Sequence, residues 1–276
     1  MPSAKMVRRL MTCSVITLLY GVSEGALAHT GVRDQARSSA TSTTTSNNAF
    51  VITHGCSGAE GGPDPLPVIG QSAVFPFGNA SQAVWVHLAT NTPIDPVSVI
   101  GGDGALNLNV GGVQDRSIFD IQWEEINPDP GDPLGDHGAI PVHALNWKDG
   151  SLSPDLLGYT AFRVSVPPIV NNCVANLRIR IAVANWCEEK KNQATDRNNN
   201  RADWWFTAET GTQKFTDPDL IQPTFWTTLT VMNPNATDAN CPADQRFDVA
   251  VMPSGADIDR YLPPPTSEIH QESPPL

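Results

Sequence analysis

Along LRIRI (177–181) apolar and charged side chains alternate with a period of two, as in an antiparallel strand that buries one face and wets the other. Short runs of β character recur through the chain: AFVIT (49–53), AVWVHLA (83–89), LNLNV (106–110), SIFDIQW (117–123), TAFRVSV (160–166), LRIRIAVANW (177–186), DWWFTA (203–208), TFWTTLTV (224–231) and FDVAVM (247–252). Gly, Pro, Asn and Asp separate them, the residues that end strands and build turns. Helical patterning is almost absent, and 21 Gly and 24 Pro interrupt the chain too often for long helices. The pattern predicts an all-β fold, an antiparallel β-sandwich. No internal repeat is visible.

Both ends depart from this pattern. Lys5, Arg8 and Arg9 precede the apolar run LMTCSVITLLYGV (10–22), and Ala26-Leu27-Ala28 forms a small-residue cleavage site. Residues 1–28 therefore read as a secretory signal. No run approaches the roughly 20 apolar residues of a membrane span, so the expected product is an exported protein, periplasmic or secreted, with no membrane anchor. Residues 29–48 are rich in Ser, Thr and Asn without apolar periodicity, and predict a flexible arm. Residues 49–261 hold the strand runs, and the Pro-rich 262–276 predicts a disordered tail.

Charge and cysteines narrow the partners. The chain carries a net charge of −12, more negative once the signal is removed, which argues against nucleic acid and anionic membrane and favours a cation. Cys13 leaves with the signal, so Cys56, Cys173, Cys187 and Cys241 remain, an even number for an oxidising compartment. Four cysteines allow three pairings, and their spacing does not choose among them. No C-x-x-C pair exists, so disulfides are favoured over a thiolate metal site.

His29 would be the first residue of the processed chain. A histidine there offers a ring nitrogen and an α-amine that titrates near ~8, and nitrogen ligation of that kind selects Cu(II). The plain alternative is that His29 merely follows the cut. Trp85 and His87 share one face of a strand, either as core Trp beside a satisfied histidine or as a second copper ligand. His137 and His143 flank the loop PDPGDPLGDHG (128–138) and read as solvent-exposed. DRNNNRAD (196–203) has the spaced oxygen side chains of a calcium loop but lacks its Gly and final Glu, and reads as a polar turn. There is no G-x-S-x-G and no Walker loop. Glu124-Glu125 and Glu188-Glu189 would face opposite ways on a strand.

Several stretches resemble the YcnI-like family (DUF1775) of exported copper-binding proteins: FVITHGCSG (50–58), LNWKDGSLSPDLLGYTAFRVSVP (145–167), RIAVANWCEE with ADWWF (180–189 and 202–206), and PTFWTTLTV (223–231). They occur in the family's order and cover about half of the processed chain. The resemblance implies a cupredoxin-like or fibronectin type III-like sandwich that binds Cu(II). It assigns amine and ring nitrogens to His29, places His54 at the strand position that completes the site, and sets Trp204 or Trp205 close by. It also implies an insertion at about 59–144. Cys56 and Cys187 lie in matching motifs and are paired on that ground, which leaves Cys173 with Cys241.

The resulting expectation is a non-enzymatic copper protein of acquisition or trafficking, whose partners are the copper ion and another exported copper protein. The rival reading is a secreted copper monooxygenase with an N-terminal histidine brace, in which His54, His87 or His143 is the second histidine. A metal-free surface sandwich is the third.

Overall fold

A computed structural model describes residues 30–53, 55, 66–113, 123–125, 142, 144–147, 150–188, 202–207, 210–213, 215 and 226–262. The elements are β1 (Thr30–Val32), β2 (Ala36–Arg37), β3 (Thr44–Ile52), β4 (Val68–Val74), β5 (Ala83–His87), β6 (Thr92–Pro93), α1 (Val97–Ile100), β7 (Gly111–Gly112), β8 (Trp123–Glu125), β9 (Ala144–Trp147), β10 (Gly158–Val166), β11 (Val174–Cys187), β12 (Ala202–Trp205), β13 (Thr227–Met232), β14 (Phe247–Pro253) and α2 (Gly255–Tyr261). One sheet has the order β1-β3-β10-β7. The other runs β6-β5-β14-β11-β4-β9-β8, with β12 and β13 also beside β11 and β2 beside β13. The expected all-β sandwich is what forms. It is not wholly antiparallel: β11 pairs with β14, and β13 with β2, in parallel.

β11 organises the larger sheet. Its first part lies between β13 and β14, and its second part between β12 and β4. Leu177, Ile179, Ile181 and Val183 point between the sheets and join a core containing Phe50, Phe162, Trp147 and Trp205. Phe50 lies 4.6 Å from Phe162, 6.0 Å from Phe75 and 5.9 Å from Trp147, ring centroid to centroid. On the opposite face Arg178 and Arg180 are half-exposed, and Arg178 meets Asp248 of β14 at 2.9 Å. Further along, that outer face turns apolar. Ala182, Ala184 and Trp186 pack there with Trp204, Phe206, Phe215, Trp226 and, from α2, Ile258 and Tyr261. The alternation of LRIRI thus ends where a second small core begins.

α2 reaches this second core through a close backbone approach. The Ser254 hydroxyl caps the helix by accepting from the Asp257 N–H at 3.2 Å. A Cβ on Gly255 would stand 2.5 Å from the backbone of Gly211, Thr210 and Thr212. We therefore expect Gly255→Ala to cost about 1–3 kcal/mol by forcing these backbones apart, read as a lower urea midpoint with an unchanged m-value.

Residues 29–48 are corrected by the structure. Their described part, 30–48, is no loose arm: it supplies β1, β2 and the first half of β3. Thr44–Ile52 pairs residue for residue with Val166–Gly158 of β10. Threonine is β-branched and suits a half-wet strand, and the polar residues find partners there. Thr45 and Ser165 hydroxyls lie 2.8 Å apart, and Asn48 binds the Asp34 backbone through both ends of its amide. A composition typical of disorder here encodes a strand whose exposed positions are polar, Thr45 and Asn47.

Other expectations shift by smaller amounts. Leu106, Leu108 and Val110 are buried, yet LNLNV forms only an isolated bridge from Leu106 to Gly78. β4 and β9 were not among the expected strands, although β4 lies inside the larger sheet between β11 and β9. Of SIFDIQW, only Trp123 falls among the described residues. Of the 262–276 tail, only Leu262 does, and it is buried. Cys173 and Cys241 form a disulfide across 68 residues of sequence. Cys187 is disulfide-bonded as well. Cys56, its expected partner, lies outside the described residues.

Candidate metal centre

Two strands end side by side at one corner of the sandwich. β1 begins at Thr30 and β3 stops at Ile52, and these two residues are register partners. His29 and His54 lie outside the described residues; in sequence one directly precedes the paired strand start and the other follows the paired strand end by two. His137, His143 and His270 also lie outside the described residues.

Thr30 is fully buried and held from two directions. The Asn185 side-chain amide donates to its hydroxyl at 2.7 Å, and the Thr227 hydroxyl donates to its carbonyl at 2.8 Å. Asn185 in turn accepts from the Gln71 amide at 2.7 Å, and the Thr160 hydroxyl donates to the Gln71 carbonyl oxygen. Thr30 and Thr160 belong to the smaller sheet; Gln71, Asn185 and Thr227 belong to the larger one. All five side chains are buried. Burying an amide or hydroxyl without a partner costs on the order of 1–3 kcal/mol, so these residues are tolerable inside the sandwich because they satisfy one another. The chain of bonds ties Thr30 to both layers.

Sequence reasoning missed this network. The signal available was a polar amide inside an otherwise apolar run, Gln71 in VIGQSAV and Asn185 in IAVANW. Such a residue asks for a buried partner, but nothing local says which one.

Trp204 and Trp205, which the sequence could not separate, face opposite ways. Trp205 stands opposite Val183 and packs between the sheets. Trp204 stands opposite Ala184 in the outer core, edge-on to Phe215 at 4.8 Å and stacked with Phe206 at 6.3 Å. Side chains alternate along a strand, so Asn185 shares the inner face of β11 with Val183. Trp205 is thus on the side where Asn185 holds Thr30, and Trp204 is on the other.

His87 occupies a different region. Its strand position is opposite Val249, which is itself opposite Leu177 of β11. Asn185 is eight residues beyond Leu177, roughly 26 Å along an extended strand. The His87 ring stacks on Phe247 at 4.8 Å, and its Nδ1 is buried without a hydrogen-bond partner among the described residues. Trp85, two residues earlier, is buried in the inter-sheet core. The fold does not bring His87 to the β1–β3 corner. Among the described residues no three His, Cys, Asp or Glu side chains cluster closely enough to hold a metal ion, and no helix is long and apolar enough to cross a membrane.

No protein-family model matches the chain, and no curated protein matches it. Among solved structures, AggA, the major subunit of aggregative adherence fimbriae type I from Escherichia coli, is similar over 74% of this chain and 93% of that chain, at 10% identity and a TM-score of 0.34. The sandwich assignment stands on the strand pairing itself, and none of these comparisons bears on the YcnI-like resemblance. The Cys173–Cys241 disulfide is consistent with an exported protein.

Proposed function

We propose that the protein is exported, cut after Ala28, and binds Cu(II) as cargo at the corner where β1 and β3 end. The observation that supports this reading is the register pair Thr30↔Ile52. It joins the two strand ends that adjoin, in sequence, His29 and His54. The His29 amine and ring supply two nitrogens, and His54 supplies a third. A nitrogen-rich set of this kind favours Cu(II) over the other common divalent ions. The acidic chain attracts a cation, and the YcnI-like motifs point the same way. Trp205 is the tryptophan assigned to the neighbourhood of the site, because it shares the inner face of β11 with Asn185.

The role that follows is copper acquisition or trafficking in the periplasm or outside the cell, with another exported copper protein as the exchange partner. The test is an EPR spectrum of Cu(II) on protein exported and processed by its own signal, beside the same protein carrying one extra residue before His29. The expected result is an axial, nitrogen-rich spectrum that the extension abolishes, because the amine is then displaced from the chelate. Identical spectra from both proteins would refute the assignment.

A further inference from the structure

A cavity of about 580 Å³ opens at the end of the larger sheet, where β14 begins between β5 and β11. Its volume lies within the roughly 300–1,000 Å³ usual for small-molecule sites. His87, Leu88, Ala175, Asp244, Arg246 and Phe247 are among its walls. Ala175 belongs to the start of β11 and Asn185 to its far end, so the cavity is remote from the β1–β3 corner.

We infer that this cavity binds a small organic cation with a flat ring, of the arylalkylamine class. One wall is itself flat. The half-buried rings of His87 and Phe247 lie nearly parallel, 17° apart, with centroids 4.8 Å from each other. The His87 Nδ1 is buried without a hydrogen-bond partner among the described residues, at a cost on the order of 1–3 kcal/mol. A leucine would line an apolar wall without that cost. What it would lack is a planar face for another ring to stack on. Phe247 adds a π-face that attracts positive charge.

The charges around the opening point to the same ligand. Asp248 is matched by Arg178 at 2.9 Å. Arg246 pairs with Asp238, and its Nε donates to the Cys241 carbonyl at 3.0 Å. Cys241 is disulfide-bonded to Cys173, so that guanidinium is moored to a braced loop. Asp244 is exposed and has no ion-pair partner among the described residues. The charge left over at the cavity is therefore negative, in a chain of net charge −12. Both select a positive ligand.

Tryptamine is the probe, because it joins an indole ring to an ammonium group. Tryptophol, with a hydroxyl in place of the amine, is its neutral counterpart. Calorimetric titration of the processed, metal-free protein should show tryptamine binding at one site and tryptophol binding about 5-fold more weakly. Asp244→Asn should erase that difference and leave tryptophol binding unchanged. His87→Leu, which keeps an apolar wall and removes the flat face, should weaken both ligands alike. Ala175→Leu, which fills the cavity from a half-buried position, should weaken both by roughly 10-fold or more. Urea midpoints show that each variant still folds. No saturable binding of tryptamine, or binding that Ala175→Leu leaves intact, would overturn the site. Equal affinity for the two ligands in the unaltered protein would overturn the cationic class.

Discussion

His29→Ala, in protein exported and processed by its own signal, will lower Cu(II) affinity by more than roughly 100-fold, beyond the 10- to 100-fold that changes to outer-shell partners usually produce. The variant keeps the α-amine and loses the ring, so one change breaks the chelate while leaving the terminus free. The fold should be indifferent to it, since β1 is pinned at Thr30 and beyond. Competition against a chelator of known affinity, with circular dichroism alongside, separates the two effects. His87→Ala is the control, because the register places His87 roughly 26 Å from Asn185 along the sheet, and affinity should not move. A fall with His87→Ala and none with His29→Ala would relocate the site to β5.

Replacing both Cys173 and Cys241 with Ala will destabilise the protein by roughly 4 kcal/mol. Cys173 immediately precedes β11, and Cys241 stands in the loop ahead of β14. Those two strands pair in parallel, and parallel neighbours cannot be joined by a tight turn. The chain instead leaves β11, contributes β12 and β13 on its other side, and only then returns as β14. The disulfide closes that 68-residue excursion, so its removal restores a large loop entropy to the unfolded chain. The check is urea unfolding of the double variant, not chemical reduction, because Cys187 carries a second disulfide. A loss below about 1 kcal/mol would mean that the parallel pair is held by Arg178–Asp248 and the apolar core without help.

How much of this the chain announces depends on the range over which each feature is decided. β10, β11 and β14 were legible because their apolar positions repeat every two residues within one strand. β4 was not, since Gly70, Gln71 and Ser72 interrupt VIGQSAV, although all three are buried between β11 and β9. The start of β3 was hidden by Thr, Ser and Asn, which read as a loop until β10 is seen to pair with them. The parallel pairing of β11 with β14 depends on a crossover that no local pattern encodes. At the candidate site, the residue types His29 and His54 were legible. The relay through Thr30, Asn185 and Gln71 was not, because its members meet only in the folded chain.

The bonds on Thr30 span 155 and 197 residues of sequence. A chain is made from its N-terminus, so Thr30 appears well before its partners Asn185 and Thr227. Contacts so distant in sequence form late and slowly. The contacts around Thr30 therefore cannot be completed until residue 227 has arrived. A chain that stops short of residue 227 would leave β1 without the bond to the Thr30 carbonyl. On the copper reading proposed above, loading would then follow folding instead of accompanying it.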